Sequence, residues 1–137
     1  MNKKMVIKDA QYTLLVYKLV DYFKTITVNK CVFLTFCVKN CMSGGDNVGR
    51  LKYNVFEEVL KRFRSKFLLY KEDFLTIITS MDILVKTGYI LLEGNKIKIT
   101  NKKIKDLEPF ELKHEKLFEE AKKMNEVWFM EEIISHV

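Results

Sequence analysis

The sequence predicts a mostly α-helical protein that carries one small β-hairpin. Two observations predict the helices: apolar residues recur at intervals of three and four, and the chain contains a single proline. A third observation predicts the hairpin, because two short runs of alternating apolar and polar residues flank the sequence Glu93-Gly94-Asn95-Lys96. A length of 137 residues is enough for one domain with a buried core.

Two helices are expected in the amino-terminal part. The first, over residues 11–24, has an apolar stripe formed by Tyr12, Leu15, Val16, Leu19 and Phe23. Residues 28–39 are ambiguous, because their β-branched and aromatic content suits a strand and their length suits a buried helix; the helix is the favoured interpretation. Residues 42–49 hold three of the five glycines and predict a loop, which lacks the Gly-Lys-Ser/Thr ending of a phosphate-binding loop.

Two further helices are expected before the hairpin. Asn54 and Glu57 have the spacing of a capping box and predict a helix over residues 54–70. The next helix, over residues 72–87, has an apolar stripe that we expect to be buried: Phe74, Ile77, Ile78, Met81, Leu84 and Val85. Gly88 is expected to end this helix, because glycine readily adopts a left-handed backbone. Residues 89–92 and 96–100 then form the hairpin.

The carboxyl-terminal part predicts one long acidic helix, which starts after Pro109 and runs from residue 110 to about residue 134. Its apolar side is formed by Leu117, Phe118, Ala121, Met124 and Trp128. We therefore expect residues 1–105 to form the main domain. Residues 106–137 either pack on the same unit or act as a dimerisation arm.

The distribution of charge matters more than the net charge of +6. Residues 94–105 hold five lysines and no acid, whereas residues 106–137 hold nine acids and four lysines. A basic middle and an acidic tail favour both nucleic-acid and protein partners. The longest apolar run, residues 31–37, is too short to span a bilayer, and no signal peptide is visible. A cytoplasmic protein without a membrane partner is expected.

Catalytic and metal sites are not expected. Cys31, Cys37 and Cys41 are an odd, closely spaced set, which disfavours a disulfide framework, and they lack a nearby fourth ligand for a metal. His114 and His136 lie far away in a charged segment and do not supply a catalytic triad. We therefore expect a non-enzymatic protein with no catalytic residue, metal or cofactor.

Residues 54–100 resemble a winged helix-turn-helix domain, since a helix is followed by a second helix closing on "ILVKTGYI" and then by a hairpin. In that family the second helix enters the major groove and the hairpin, called the wing, lies beside it on the backbone. The resemblance implies that residues 72–87 are the recognition-type helix and residues 89–100 the wing. The expected fold is a winged helix-turn-helix with added N-terminal helices and a C-terminal helix.

Residues 62–100 also resemble the middle component of bacterial ABC-three-component systems. These are small winged-helix-like proteins encoded beside an ABC-type ATPase and associated with conflict against phage or plasmids. The segment "VFLTFCVKN" is compatible with the same family. The resemblance implies an adaptor that joins an ATPase to other components.

The recognition-type helix is predicted to expose Glu72, Thr76, Thr79, Ile83 and Thr87, with Lys86 at the edge. A surface that reads bases usually offers Arg, Lys, Asn or Gln. An acid and an exposed isoleucine instead favour a protein contact. The residues predicted to bind a protein partner are Thr76, Thr79, Ile83 and, on the terminal helix, Trp128.

The alternative function is a DNA-binding transcriptional regulator, acting as a homodimer through residues 110–134. Its lysine-rich wing would neutralise phosphates without reading sequence, and binding would then depend strongly on salt. A lysine run is equally typical of a solvated surface. The candidate phosphate contacts are Arg62, Arg64, Lys66, Lys86, Lys96, Lys98, Lys102 and Lys103.

Overall fold

The first helix, α1 (Lys3–Phe23), ends at a residue with a left-handed backbone. The computed structural model describes residues 3–40 and 71–135, and the side chains within residues 10–40 and 71–134. The buried side chains of α1 are Tyr12, Val16, Tyr17, Leu19 and Val20. Lys24 has a φ of 69° in the position that glycine usually takes, and its N–H donates to the Val20 carbonyl at 2.7 Å.

A three-residue strand that the sequence did not predict, β1 (Thr25–Thr27), joins α1 to α2 (Val28–Asn40). Thr27 caps α2, since its hydroxyl accepts a hydrogen bond from the Lys30 N–H at 3.3 Å. The favoured helical interpretation of residues 28–39 is confirmed. Side chains on all sides of α2 are buried, which explains why its sequence shows only a weak helical period. The buried residues of α2 are Cys31, Phe33, Leu34, Thr35, Phe36 and Cys37.

The predicted hairpin is formed by β2 (Ile90–Glu93) and β3 (Lys96–Ile99). β1 pairs with the other edge of β3, so the sheet is antiparallel with the order β1-β3-β2. Gly94 has a φ of 61° at the first position of the two-residue turn, as in a type II′ turn. Ile26 pairs with Ile97, and both are buried. The mostly α-helical class with a small antiparallel sheet is therefore confirmed, with one strand more than expected.

The helix before the hairpin, α3 (Lys71–Lys86), buries two polar residues together with its apolar stripe. The prediction of a buried stripe is confirmed for Ile77, Met81 and Leu84, whereas Phe74 and Val85 are half-buried. It is wrong for Ile78, which is 51% exposed. Asp73 and Ser80 take buried positions instead, and the Tyr12 hydroxyl donates to Asp73 Oδ2 at 2.8 Å. The buried side of α3 is thus centred near Ile77 and Leu84, and Ile78 lies outside it.

The carboxyl-terminal region forms two helices, α4 (Leu112–Lys122) and α5 (Glu126–Ser135), so the prediction of one continuous helix from residue 110 is wrong. The N–H groups of Lys123 and Met124 bond to carbonyls three residues back, at 3.2 Å each, which tightens the end of α4. Asn125 then caps α5, because its Oδ1 accepts a hydrogen bond from the Trp128 N–H at 2.8 Å.

The chain divides into two compact units: Met1–Thr35 with Glu72–Pro109, and Phe36–Lys71 with Phe110–Val137. In the second unit the Phe110 ring lies edge-on to Phe118, with ring centres 4.8 Å apart. Within residues 3–40 and 71–135, none of the helices has the length and hydropathy needed to cross a membrane. The predicted loop 42–49 and helix 54–70 lie outside the described residues.

Replacing Tyr12 by Phe removes the hydroxyl that donates to the buried Asp73 carboxylate. We expect the free energy of unfolding to fall by about 1–3 kcal/mol, because a buried acceptor loses a donor. Urea denaturation measures this as a lower midpoint at unchanged slope. Tyr89→Phe is the matched control, since it keeps both ring contacts of Tyr89, and it should change stability by less than about 0.5 kcal/mol. Equal losses in the two variants would contradict a specific role for the Tyr12 bond.

Candidate interaction surfaces

The outer side of α3 carries three exposed apolar side chains. Leu75 is 67% exposed, Ile78 51% and Ile83 42%. Thr79 lies between them and is exposed as well. We call these four residues the α3 apolar face. At 100° per residue they occupy the side of the helix opposite the buried Ile77.

Two of the three predicted partner contacts on α3 lie on this face, and one does not. Thr79 and Ile83 are exposed, whereas Thr76 is half-buried and its hydroxyl donates to the Glu72 carbonyl at 3.3 Å. Leu75 was not predicted to be exposed, although it lies four residues before Thr79 and therefore on the same side of the helical wheel. The exposure of Ile78 could not be predicted, because the spacing of the apolar residues does not reveal that Asp73 and Ser80 are buried in its place.

The basic residue on this side of α3 is paired with an acid. Lys86 Nζ lies 2.8 Å from Asp82 Oδ2. This hydrogen bond, together with the charge of the carboxylate, raises the pKa of Lys86 above its ordinary value. Exposed pairs of this kind contribute little to stability, but they lower the positive charge that a phosphate would meet.

The turn from α3 into β2 is a Schellman motif. Gly88 has a φ of 85°, the left-handed region that glycine occupies without strain. Its N–H donates to the Val85 carbonyl at 3.1 Å, and the Tyr89 N–H donates to the Leu84 carbonyl at 2.9 Å. The prediction that Gly88 ends this helix is confirmed.

Two residues that follow β3 donate hydrogen bonds to backbone carbonyls of this turn that have no donor within it. Lys102 Nζ donates to the Thr87 carbonyl at 2.7 Å. The Thr100 hydroxyl points at the carbonyls of Gly88 and Tyr89, at 2.7 and 3.0 Å. We call these five residues the α3–β2 corner. The ammonium group of Lys102 also lies 4.5 Å from the centre of the Tyr89 ring, as in a cation–π contact.

The corner is joined to α1 through one tyrosine. The Tyr17 ring lies edge-on to Tyr89, with ring centres 6.0 Å apart. The Tyr17 hydroxyl accepts a hydrogen bond from the Ile104 N–H at 3.1 Å. Tyr17 therefore contacts both ends of the hairpin: the Tyr89 ring just before β2 and the backbone of Ile104 after β3.

Most of the predicted phosphate contacts within the described residues already have a partner. Lys98 Nζ lies 2.9 Å from Glu93, and Lys103 Nζ lies 3.6 Å from Asp21. Lys102 belongs to the corner. Lys96 is exposed, and no ion pair holds it within residues 3–40 and 71–135. The remaining candidates, Arg62, Arg64 and Lys66, lie outside the described residues.

A second exposed apolar surface lies on α5. Val127 is 68% exposed, Trp128 46% and Ile134 67%. Glu131 is exposed between them. We call these four residues the α5 outer face. The indole Nε1 of Trp128 donates to Glu132 Oε1 at 3.2 Å, which holds the ring along the helix.

Among the described residues, those with nucleophilic or metal-binding chemistry do not converge. The thiols of Cys31 and Cys37 are buried, and burial raises the pKa of Cys31 to about 12, so that thiol stays protonated at neutral pH. Among the described side chains, no three His, Cys, Asp or Glu residues form a group that could hold a metal ion. His114 lies edge-on to Phe110, and Cys41 and His136 lie outside the described residues.

Comparison of the chain with protein-family models, with curated proteins and with solved structures finds no match.

Replacing Lys102 by Met keeps the length of the side chain and removes the ammonium group that bonds to the Thr87 carbonyl. We expect the free energy of unfolding to fall by about 1 kcal/mol, because a charged hydrogen bond and a cation–π contact are lost at an exposed site. Lys96→Met is the matched control on the same hairpin and should change stability by less than about 0.5 kcal/mol. Thermal and urea unfolding measure both. Unchanged stability of the Lys102 variant would mean that this lysine does not cap α3.

Proposed function

We propose that this chain is a non-enzymatic interaction module that binds a protein partner through the α3 apolar face. The observation that carries the proposal is the exposure of Leu75, Ile78 and Ile83 on one side of a single helix. Clustered apolar side chains on a surface are typical of protein contact sites, and burying them releases about 25 cal/mol per Å². Glu72 and the Asp82–Lys86 pair lie on the same side of the helix and supply polar groups to such a site.

A winged helix-turn-helix is the architecture we propose. It is supported by a helix that runs through a tight corner into an antiparallel hairpin, and by a third strand on the other edge of β3. In this architecture α3 is the recognition-type helix and β2 with β3 is the wing. A helix that reads bases presents Arg, Lys, Asn or Gln to their edges. α3 presents aliphatic side chains there, which supports protein binding.

The resemblance of residues 62–100 to the middle component of bacterial ABC-three-component systems supports a more specific role. We propose a cytoplasmic adaptor that joins an ABC-type ATPase to the other components of such a defence system. The partner that we expect on the α3 apolar face is then the ATPase encoded beside this chain.

Replacing Ile83 by Asp places a charge on the proposed contact. We expect the affinity for the neighbouring ATPase, measured by calorimetry, to fall about 30-fold or more, because an apolar residue that contributes strongly to an interface is worth about 2 kcal/mol or more. Leu91→Asp is the matched control, since Leu91 lies on β2 and is exposed to a similar degree, 47% against 42%. Circular dichroism checks that both variants fold. Unchanged binding of the Ile83 variant would show that this face is not the contact. If the wild-type protein forms no complex with the ATPase, the adaptor role is contradicted.

DNA binding is the second candidate function, and one observation favours it: Lys96 and Lys105 are exposed on and after β3, with no acid paired to either among the described side chains. Two such lysines can contact two phosphates without reading sequence. The contact would be weak, because each phosphate neutralised contributes a slope of about −0.9 to the dependence of log K on log salt.

A titration of a random-sequence duplex by fluorescence anisotropy, between about 50 and 200 mM salt, separates the two functions. With two phosphates contacted we expect a slope no steeper than about −2, and loss of the remaining signal when Lys96 and Lys105 are replaced by Glu. A slope steeper than about −4 would require more phosphate contacts than the free lysines of the wing provide. The regulator function would then be favoured over the adaptor.

A further inference from the structure

The α5 outer face, in the second compact unit, has a chemistry that specifies its partner. We propose that it is a docking site for an amphipathic helix that carries Lys or Arg beside its apolar side chains. The inference rests on the proposed function in one respect only, that the chain acts by binding proteins. It uses none of the residues on α3.

The positions around α5 show which groups a partner would meet. At 100° per residue, Val127, Glu131 and Ile134 fall within an arc of about 60° around the helix axis. Trp128 lies about 60° beyond Glu131. The buried Phe129 lies on the opposite side of the helix. The outer face is therefore an apolar stripe with one carboxylate in its middle and an aromatic ring along one edge.

The charge of this region selects a basic partner. α5 contains three glutamates and no basic residue. The lysines at the end of the preceding helix are already paired: Lys122 with Glu119 at 3.4 Å, and Lys123 with Glu120 at 3.8 Å. Glu131 is exposed, and no ion pair involves it within the part of the chain that the structure describes. A Lys or Arg on the partner would meet this carboxylate while the flanking apolar side chains are buried.

Trp128 has the features of an anchor residue in an interface. Its ring is 46% exposed, and its bond to Glu132 restrains the side chain before any partner arrives. Tryptophan is enriched among residues that contribute most to binding, and a restrained ring loses less conformational entropy when it is buried.

A second copy of the chain fits this face poorly. Pairing α5 with itself would bring the exposed Glu131 of one copy close to the acidic face of the other, and like charges in a contact lower affinity. An anionic membrane surface is also disfavoured, because helices that lie on such membranes carry Lys and Arg on their polar side. A basic amphipathic helix can bury the apolar side chains of the α5 outer face and pair a Lys or Arg with the Glu131 carboxylate.

The test uses the full chain, whose single tryptophan reports directly on this face. Two synthetic helical peptides free of tryptophan are titrated against it. Both have Leu at helical spacing, one flanked by Lys and the other by Glu. We expect the Lys peptide to shift the Trp128 emission to shorter wavelength with saturation, and the Glu peptide to bind at least about tenfold more weakly. Raising the salt concentration should weaken the Lys peptide selectively.

Glu131→Lys provides the decisive variant, because it changes one exposed charge without altering the apolar stripe. We expect the preference between the two peptides to reverse, with the affinity for the Lys peptide lowered about tenfold. Glu108→Lys makes the same charge change at an exposed position outside this face and should leave both titrations unchanged. The fold of each variant is checked by circular dichroism.

Three outcomes would overturn the proposal. The first is equal binding of the two peptides, or binding of neither. The second is an unchanged preference in the Glu131 variant. The third is a shift of the emission with protein concentration alone, together with a doubled mass in sedimentation, which would assign the face to a second copy. Ile83→Asp should leave the peptide titrations unchanged, so this proposal and the proposed function can fail separately.

Discussion

The carboxyl end of α3 leaves carbonyl groups that need donors, and the segment after the hairpin supplies them. Lys102 and Thr100 reach back to the three carbonyls of the turn, and Gly88 provides the left-handed backbone that points those carbonyls toward them. Because these bonds join the start and the end of the hairpin to the same helix end, the hairpin cannot move independently of α3. The direction in which α3 presents its outer side depends on this corner.

The corner also changes what the lysine-rich segment can do. A lysine bonded to a backbone carbonyl has spent one of its donors and is fixed in place, so it is less available to a phosphate. Lys98 and Lys103 are held by Glu93 and Asp21. Each exposed pair contributes little to stability, but two of the five positive charges of residues 94–105 each face a carboxylate, which weakens the positive field of this segment. A high local count of lysines is therefore a poor guide to nucleic-acid binding when acids lie within reach.

The sequence predicted those parts of the fold that local chemistry determines, and missed those that depend on distant partners. Gly88 and the Gly94-Asn95 turn could be placed because each requires a particular backbone conformation. β1 could not, since three residues carry no period and pair with β3 some seventy residues later. Asp73 is buried and bonded to Tyr12, sixty-one residues away, and local spacing gives no sign of a buried acid on α3. The break before α5 could have been predicted from the sequence, because asparagine is a preferred N-cap residue and Asn125 takes that position.

The two exposed apolar faces differ in the charge that they present to a partner. The α3 apolar face shares its side of the helix with the Asp82–Lys86 pair, in which the two charges offset each other, and with the exposed Glu72. The α5 outer face has an unpaired carboxylate at its centre, which rewards a basic helix and penalises an acidic one. A basic helix gains an ion pair at the centre of the α5 outer face, and an acidic helix is repelled there. Discrimination of this kind needs a repulsive element as well as an attractive one, and Glu131 supplies both.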